Sequence, residues 1–273
     1  MEEELKLIGV DIDGTLLNSK NELTARTKAS LIKASRIGHK VAIITGRDFY
    51  AADFLAKDLD FDKFGGLVSS SNGAHVYDMK SKKTIINHTI DQTLAREMID
   101  FAKELGFDYI IYHKGEILAE NKKAHSLEFL SKKNKMPYRI VENLEEEIDF
   151  PLNKVLFSAE PSIINKNIEK FKEKFENRVN PIHSMPQFLD CMPLDINKGR
   201  SILEIADFFS IEPKDTLAFG DEINDMEMIK MAGTGIAMAN ASEILKKEAD
   251  FITLSNDEDG IAYYIEKNIL KEK

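Results

Sequence analysis

The chain has 273 residues, 43% of them apolar and 31% charged, ordinary proportions for a globular protein of one large or two modest domains. Its 37 lysines and arginines stand against 47 aspartates and glutamates, a net charge of −10, which argues against a protein that coats nucleic acid or an anionic membrane. The single cysteine, Cys191, excludes an internal disulfide framework and a cysteine-built zinc site, and no stretch approaches the ~18 consecutive apolar residues of a membrane span.

The acidic start, Met1-Glu2-Glu3-Glu4, has neither the basic opening nor the apolar run of a secretory signal, so a cytoplasmic location is expected. Residues 5–10 form a short, mostly apolar run that stops at Asp11-Ile12-Asp13-Gly14-Thr15. Runs of this length, buried on both faces, are typical of parallel sheets. Thr24 can cap a helix that reaches Ile37, with Gly38 as its stop. A second strand over 41–44 ends at Thr45-Gly46-Arg47, a helix follows to about Leu59, and 66–69 reads as a third strand. Strand–helix–strand alternation predicts βαβ units and a parallel sheet.

The pattern changes after Asn72-Gly73, a turn signal. Segments 74–78 and 84–88 read as a hairpin. Residues 91–105 have helical apolar spacing between Asp91 and Gly106, and 107–113 pairs with 116–119 around Lys114-Gly115. A helix over 124–134, strands over 138–141 and 154–159, a helix over 163–175 and extended segments 178–184 and 188–192 follow. This suggests an antiparallel α+β module. Alternation then resumes with a helix over 199–209, a strand over 216–220 ending at Asp221, a helix over 225–231 and a strand over 235–238. A helix over 241–247, a strand over 251–253 and a terminal helix close the chain.

Asp11 and Thr45 are 34 positions apart, about one βαβ step of ~30 residues. Thr45 and Lys198 are 153 positions apart, too far for one crossover. The expected fold is α/β: a Rossmann-like parallel-sheet core from residues 1–83 and 190–273, with an inserted α+β cap over 84–189 acting as a lid. Asp11, Thr45 and Asp221 each follow a predicted strand, and open α/β sheets bind ligands at the carboxyl ends of their strands.

Those residues suit phosphate monoester hydrolysis. A carboxylate can attack phosphorus and form an aspartyl-phosphate. Asp11 and Asp13, two apart, share a face if the chain stays extended; one can attack while the other serves the leaving oxygen as general acid and later activates water. Carboxylates beside a phosphate call for a cation. Mg²⁺ takes oxygen ligands from one or two carboxylates, substrate and water. Asp11 and Asp221 are natural ligands, with the Asp13 carbonyl another and Asp225 either a ligand or an outer partner. Thr45, supported by the Gly46 amide, Lys198 and Asn224 would hold the phosphate.

Each feature also has a plainer reading. Thr45, Asn224 and Asp225 can be helix caps, Asn240 can cap the helix that follows it, and Asn72-Gly73 can be a bare turn. Cys191 reads as a small core residue. The joint occurrence of the polar groups at strand ends, in one order, favours the site.

The set Asp11-Ile12-Asp13-Gly14-Thr15, Thr45-Gly46-Arg47, Lys198-Gly199 and Gly220-Asp221 with Asn224-Asp225 resembles the haloacid dehalogenase superfamily, and within it the Cof-type phosphatases with a large α/β cap. Ser70-Ser71-Asn72-Gly73-Ala74 and the run from Gly235 to Ala241 are similar to that family as well. Ala239 and Glu222-Ile223 depart from its commonest residues without removing a catalytic group. The resemblance implies Asp11 as nucleophile, Asp13 as acid/base, Mg²⁺ on Asp11, Asp13 and Asp221, and phosphate on Thr45, Lys198 and Asn224. It implies a small phosphorylated metabolite as partner; the charge and hydropathy point to no nucleic acid and no membrane, and a monomer or weak homo-oligomer is the default expectation. A phosphomutase and a catalytically silent metabolite binder are the alternatives.

Overall fold

Leu7-Ile8-Gly9-Val10 has no polar side chain to turn toward water. In the computed structural model, which describes residues 4–271, it is a strand buried along its whole length (β1, Leu7–Val10). The acidic opening Met1-Glu2-Glu3 lies outside the described residues. Four strands follow in the first part of the chain: β2 (Lys40–Ile44), β3 (Gly66–Ser70), β4 (His75–Asp78) and β5 (Lys83–Asn87). The middle carries β6 (Asp108–His113), β7 (Glu116–Ala119), β8 (Tyr138–Ile140), β9 (Val155–Ser158), β10 (Val179–Met185) and β11 (Phe188–Pro193). The last part adds β12 (Thr216–Gly220), β13 (Thr234–Ala237) and β14 (Phe251–Ile252).

The chain divides into two compact units. The first runs to Gly46 and continues over Ala52–Ile86 and from Asn197 onward. Its sheet has the order β14-β13-β12-β1-β2-β3-β4-β5. The pairs from β14 to β3 are parallel, and β4 returns antiparallel on β3. The helix Ala25–Arg36 crosses from β1 to β2, capped by Thr24, whose hydroxyl accepts the Thr27 N–H at 3.2 Å. The chain leaves β1 for β2 on one side, and β12 lies on its other side, so β1 sits at the point where strand order reverses.

The second unit comprises Arg47–Ala51 and Asn87–Ile196. Its sheet has the order β10-β11-β9-β6-β7-β8, antiparallel except for β7 with β8. The helices Gln92–Leu105 and Pro161–Phe175 supply Met98, Ile99, Ile164 and Phe171 to an apolar core with Val155, Phe157 and Leu189. Ile110 of β6, Leu156 of β9 and Phe188 of β11 form a second cluster with Ala51 and Leu127.

The units do not divide at residues 84 and 189. β5 extends the first unit's sheet through Ile86, and β11 completes the second unit's sheet beyond 189. Arg47–Ala51, expected to open a helix, joins the second unit as a single 3₁₀ turn, Phe49–Ala51, and the helix begins only at Asp53. The short helix Leu144–Glu147, capped by Asn143, has no counterpart in the sequence reading. Among the described residues no helix is long and apolar enough to cross a membrane.

Candidate active site

Asp11 follows β1, and its N–H donates to the Phe219 carbonyl of β12 at 3.1 Å. The chain then turns tightly through Ile12–Leu16, with Gly14 at φ +79°. A Cβ on Gly14 would stand 2.2 Å from Asp221 Oδ2, so only glycine lets this loop close on Asp221. Thr15 Oγ1 donates to Asp221 Oδ1 at 2.7 Å, which ties the loop after β1 to the end of β12. Gly220 is constrained in the same way, because a Cβ there would lie 2.5 Å from Asp225 Cβ.

Lys198 begins the helix Lys198–Phe208, whose N-cap is Asn197, accepting the Arg200 N–H at 2.9 Å. The lysine is fully buried. Its Nζ donates to Asp11 Oδ1 and to Asp225 Oδ1, both at 2.6 Å. The remaining oxygen of Asp225 accepts the N–H groups of Asp221 at 3.0 Å and Glu222 at 3.1 Å. Carboxylate oxygens of Asp11, Asp221 and Asp225 all lie within 4.8 Å of one another.

One buried ammonium thus faces three buried carboxylates. Burial pushes the Asp11 carboxyl up to about 8 against the pull of Lys198, and Asp225, Asp221 and Asp13 add to the rise. Burial likewise pushes Asp221 up to about 7, opposed by the Thr15 hydrogen bond and helped by the charge of Asp225. Burial alone would weaken the charge of Lys198, but Asp11 and Asp225 hold its ammonium above the ordinary lysine range.

The other expected residues fall around this group as follows. Asp13 lies in the loop after β1, half-buried, and its carboxylate is not among the three that converge. Thr45 is buried at the end of β2, the strand beside β1, and Gly46 follows it. Asn224 is half-buried in the turn Ile223–Asp225, directly before Asp225.

Asn240 was open to a capping role, but Ser242 caps the helix Glu243–Glu248. The Asn240 amide instead donates to the Gly14 carbonyl at 2.8 Å and accepts the Asn256 N–H at 3.0 Å. It therefore steadies the loop that carries Asp11 and Asp13. The only sequence signal for it was its place in the Gly235–Ala241 run.

The sequence pattern of the haloacid dehalogenase-like hydrolases matches residues 8–265. The Bacillus subtilis (strain 168) protein named 5-amino-6-(5-phospho-D-ribitylamino)uracil phosphatase YwtE is 28% identical over 288 residues, covering 96% of this chain and 98% of the relative. A crystal structure of a haloacid dehalogenase-like hydrolase from Bacteroides thetaiotaomicron superposes with a TM-score of 0.91 at 32% identity, over 97% of this chain and 99% of that one. A crystal structure from Thermotoga maritima does so with a TM-score of 0.85 at 26% identity, over 96% and 97%. Family pattern, full-length relatives and fold agree: the chain is an enzyme of the haloacid dehalogenase-like hydrolase family, of the Cof type that its motifs resemble.

Proposed function

We propose that this hydrolase is a phosphatase that cleaves a small phosphorylated metabolite through an aspartyl-phosphate on Asp11. The observation that carries the reading is the buried contact of Lys198 with both Asp11 and Asp225, beside Asp221. A cluster with more buried carboxylates than cations needs positive charge from outside, and a metal ion brings it. The relative named for a phosphoribitylaminouracil supports a metabolite phosphate as the substrate class, with a sugar phosphate, a nucleotide or a cofactor phosphate all within it.

The donor set fits Mg²⁺, since it consists of hard carboxylate oxygens that converge from the ends of β1 and β12 and from the turn Ile223–Asp225. Asp11, Asp221 and the Asp13 carbonyl would hold the ion. Asp225 orients the group instead, because Lys198 and two main-chain N–H groups already engage both of its oxygens. When bound, Mg²⁺ offsets the charge of the phosphate and of the carboxylates around it.

The chain's own residues do the rest. The Asp11 carboxylate attacks phosphorus as the bond to the leaving oxygen breaks, and Asp13 gives that oxygen its proton. Asp13 then takes a proton from the water that opens the aspartyl-phosphate, releasing inorganic phosphate and restoring both carboxyls. Thr45 and Gly46 at the end of β2, Lys198 and Asn224 hold the phosphate oxygens throughout.

The test is hydrolysis of an aryl phosphate with Mg²⁺, followed by a panel of metabolite phosphates. Turnover that stops with chelator and returns with Mg²⁺ supports the reading. Undiminished turnover after exhaustive metal removal overturns the metal assignment, and no turnover on any phosphate ester overturns the function.

A further inference from the structure

The end of β3 continues into a turn whose conformation is costly. Ser71 and Asn72 have φ of 50° and 52°, and Gly73 has φ 107°, three successive residues on the left-handed side. Ser69, Ser70, Ser71 and Asn72 are all buried. Asn72 Oδ1 is buried with no hydrogen-bond partner, in a residue only 2% exposed. A bare turn explains none of this, because glycine would take the Asn72 conformation without strain and without a buried amide to satisfy.

The segment's contacts run in two directions within the first unit. Toward β2, the Thr45 N–H donates to the Ser69 carbonyl and the Asn72 N–H donates to the Thr45 carbonyl, both at 2.8 Å. Both main-chain groups of Thr45 are thereby fixed. The Asn72 side chain lies against Gly46, where a Cβ would be 3.1 Å from Oδ1. Toward the lysine helix, Ser69 Oγ and Ser201 Oγ share a hydrogen bond of 2.6 Å. A Cβ on Gly73 would lie 2.8 Å from Ser201 Cβ and 2.9 Å from the carbonyl of Asn197, the residue that caps that helix.

We propose that Ser69–Gly73 is a strut between the two phosphate-binding elements, with Asn72 positioning Thr45–Gly46 and Gly73 seating the helix that begins at Lys198. The proposal rests on the phosphatase reading for what the strut serves, and on geometry alone for its existence. Phosphate oxygens are bound before and during the reaction, so loosening the strut weakens phosphate binding at every stage. The Michaelis constant and the inhibition constant for inorganic phosphate then rise together, while kcat changes less.

Asn72→Gly is the informative variant, since it keeps the left-handed backbone and removes only the amide. We expect its Michaelis constant for an aryl phosphate and its inhibition constant for inorganic phosphate each to rise about tenfold, with kcat within about threefold and Tm close to the parent. In a Thr45→Val background the same change should still weaken phosphate inhibition, because the Asn72 amide lies against Gly46, which that background leaves in place. Gly73→Ala should still weaken phosphate inhibition in that background, since it acts through the Lys198 helix. Amide hydrogen exchange reads the strut without substrate: Asn72→Gly should lower protection at Thr45 and Gly46, and Thr45→Val should leave Gly46 protected.

Asn72→Gly with unchanged phosphate inhibition and unchanged exchange overturns the proposal. If the parent enzyme neither hydrolyses nor binds phosphate, the phosphatase reading fails, and the exchange result alone decides the strut.

Discussion

Each unit buries a lysine against aspartate, and the two arrangements differ in what they leave unbalanced. In the second unit Lys154 Nζ lies 2.8 Å from Asp190 Oδ1, both side chains buried, and the other Asp190 oxygen accepts the Ser184 hydroxyl. The ammonium stands 5.2 Å from the Tyr112 ring. Asp48, half-buried and bonded to the Tyr50 N–H at 3.0 Å, is raised by burial and feels Lys154 as an opposing charge. No three ligand oxygens converge there. In the first unit a single lysine is shared by two aspartates and a third lies beside them, the one such converging group among the described residues. A balanced pair fastens strands; an excess of carboxylate held close by the fold is costly unless a cation completes it.

The largest effect expected from this contrast is on turnover. Asp11→Asn removes the attacking oxygen and should lower kcat for an aryl phosphate on the order of 10⁴-fold or more. Asp13→Asn should cost about 10²–10⁴-fold, because an amide cannot supply and retrieve the proton. Lys198→Met should fall between these, and equal activity of Lys198→Met and Lys154→Met would erase the distinction between the two lysines.

The next effect is on stability. Lys154→Met strands Asp190 and should cost about 3–5 kcal/mol in urea unfolding. The double change Lys154→Met with Asp190→Leu should recover most of that loss, as expected for a pair that serves packing. Recovery failing, together with a loss of activity toward a metabolite phosphate but not an aryl phosphate, would mean that Lys154 touches substrate.

A smaller effect appears with pH. Folding raises Asp11 to about 8 and Asp221 to about 7, from about 3.9 in an unfolded chain. The metal-free protein therefore holds more protons folded than unfolded between about pH 4 and 8, and its stability should decline as pH rises through that window and then level off. Mg²⁺ binds the deprotonated carboxylates, so its gain in Tm should grow with pH up to about 8 and shrink toward pH 5. A metal-free Tm that climbs from pH 5 to 8, at constant ionic strength, would contradict the raised carboxyls.

The parts of the site written in short apolar runs were legible in the sequence. Leu7–Val10, Lys40–Ile44 and Thr216–Gly220 stop abruptly at Asp11, Thr45 and Asp221, and their pairing puts those ends side by side. What was not legible depends on pairings that no local pattern encodes. β5 reads as the start of the insertion but lies at the edge of the first sheet. Arg47–Ala51 adjoins Thr45 in the chain yet packs into the second unit. Asn240 meets the Gly14 carbonyl across 226 positions, and Lys154 meets Asp190 only because β11 pairs with β9.

The central claim is that Asp11 is the nucleophile, and the stereochemical course at phosphorus tests it most directly. An aryl thiophosphate of one configuration, chiral through ¹⁶O and ¹⁷O, is hydrolysed in ¹⁸O-labelled water, and the configuration of the released thiophosphate is determined. Attack by Asp11 followed by attack of water on the aspartyl-phosphate makes two in-line displacements at phosphorus, so the configuration is retained. Inversion would mean that water displaces the leaving group in a single step, and that Asp11 serves only as a ligand or base.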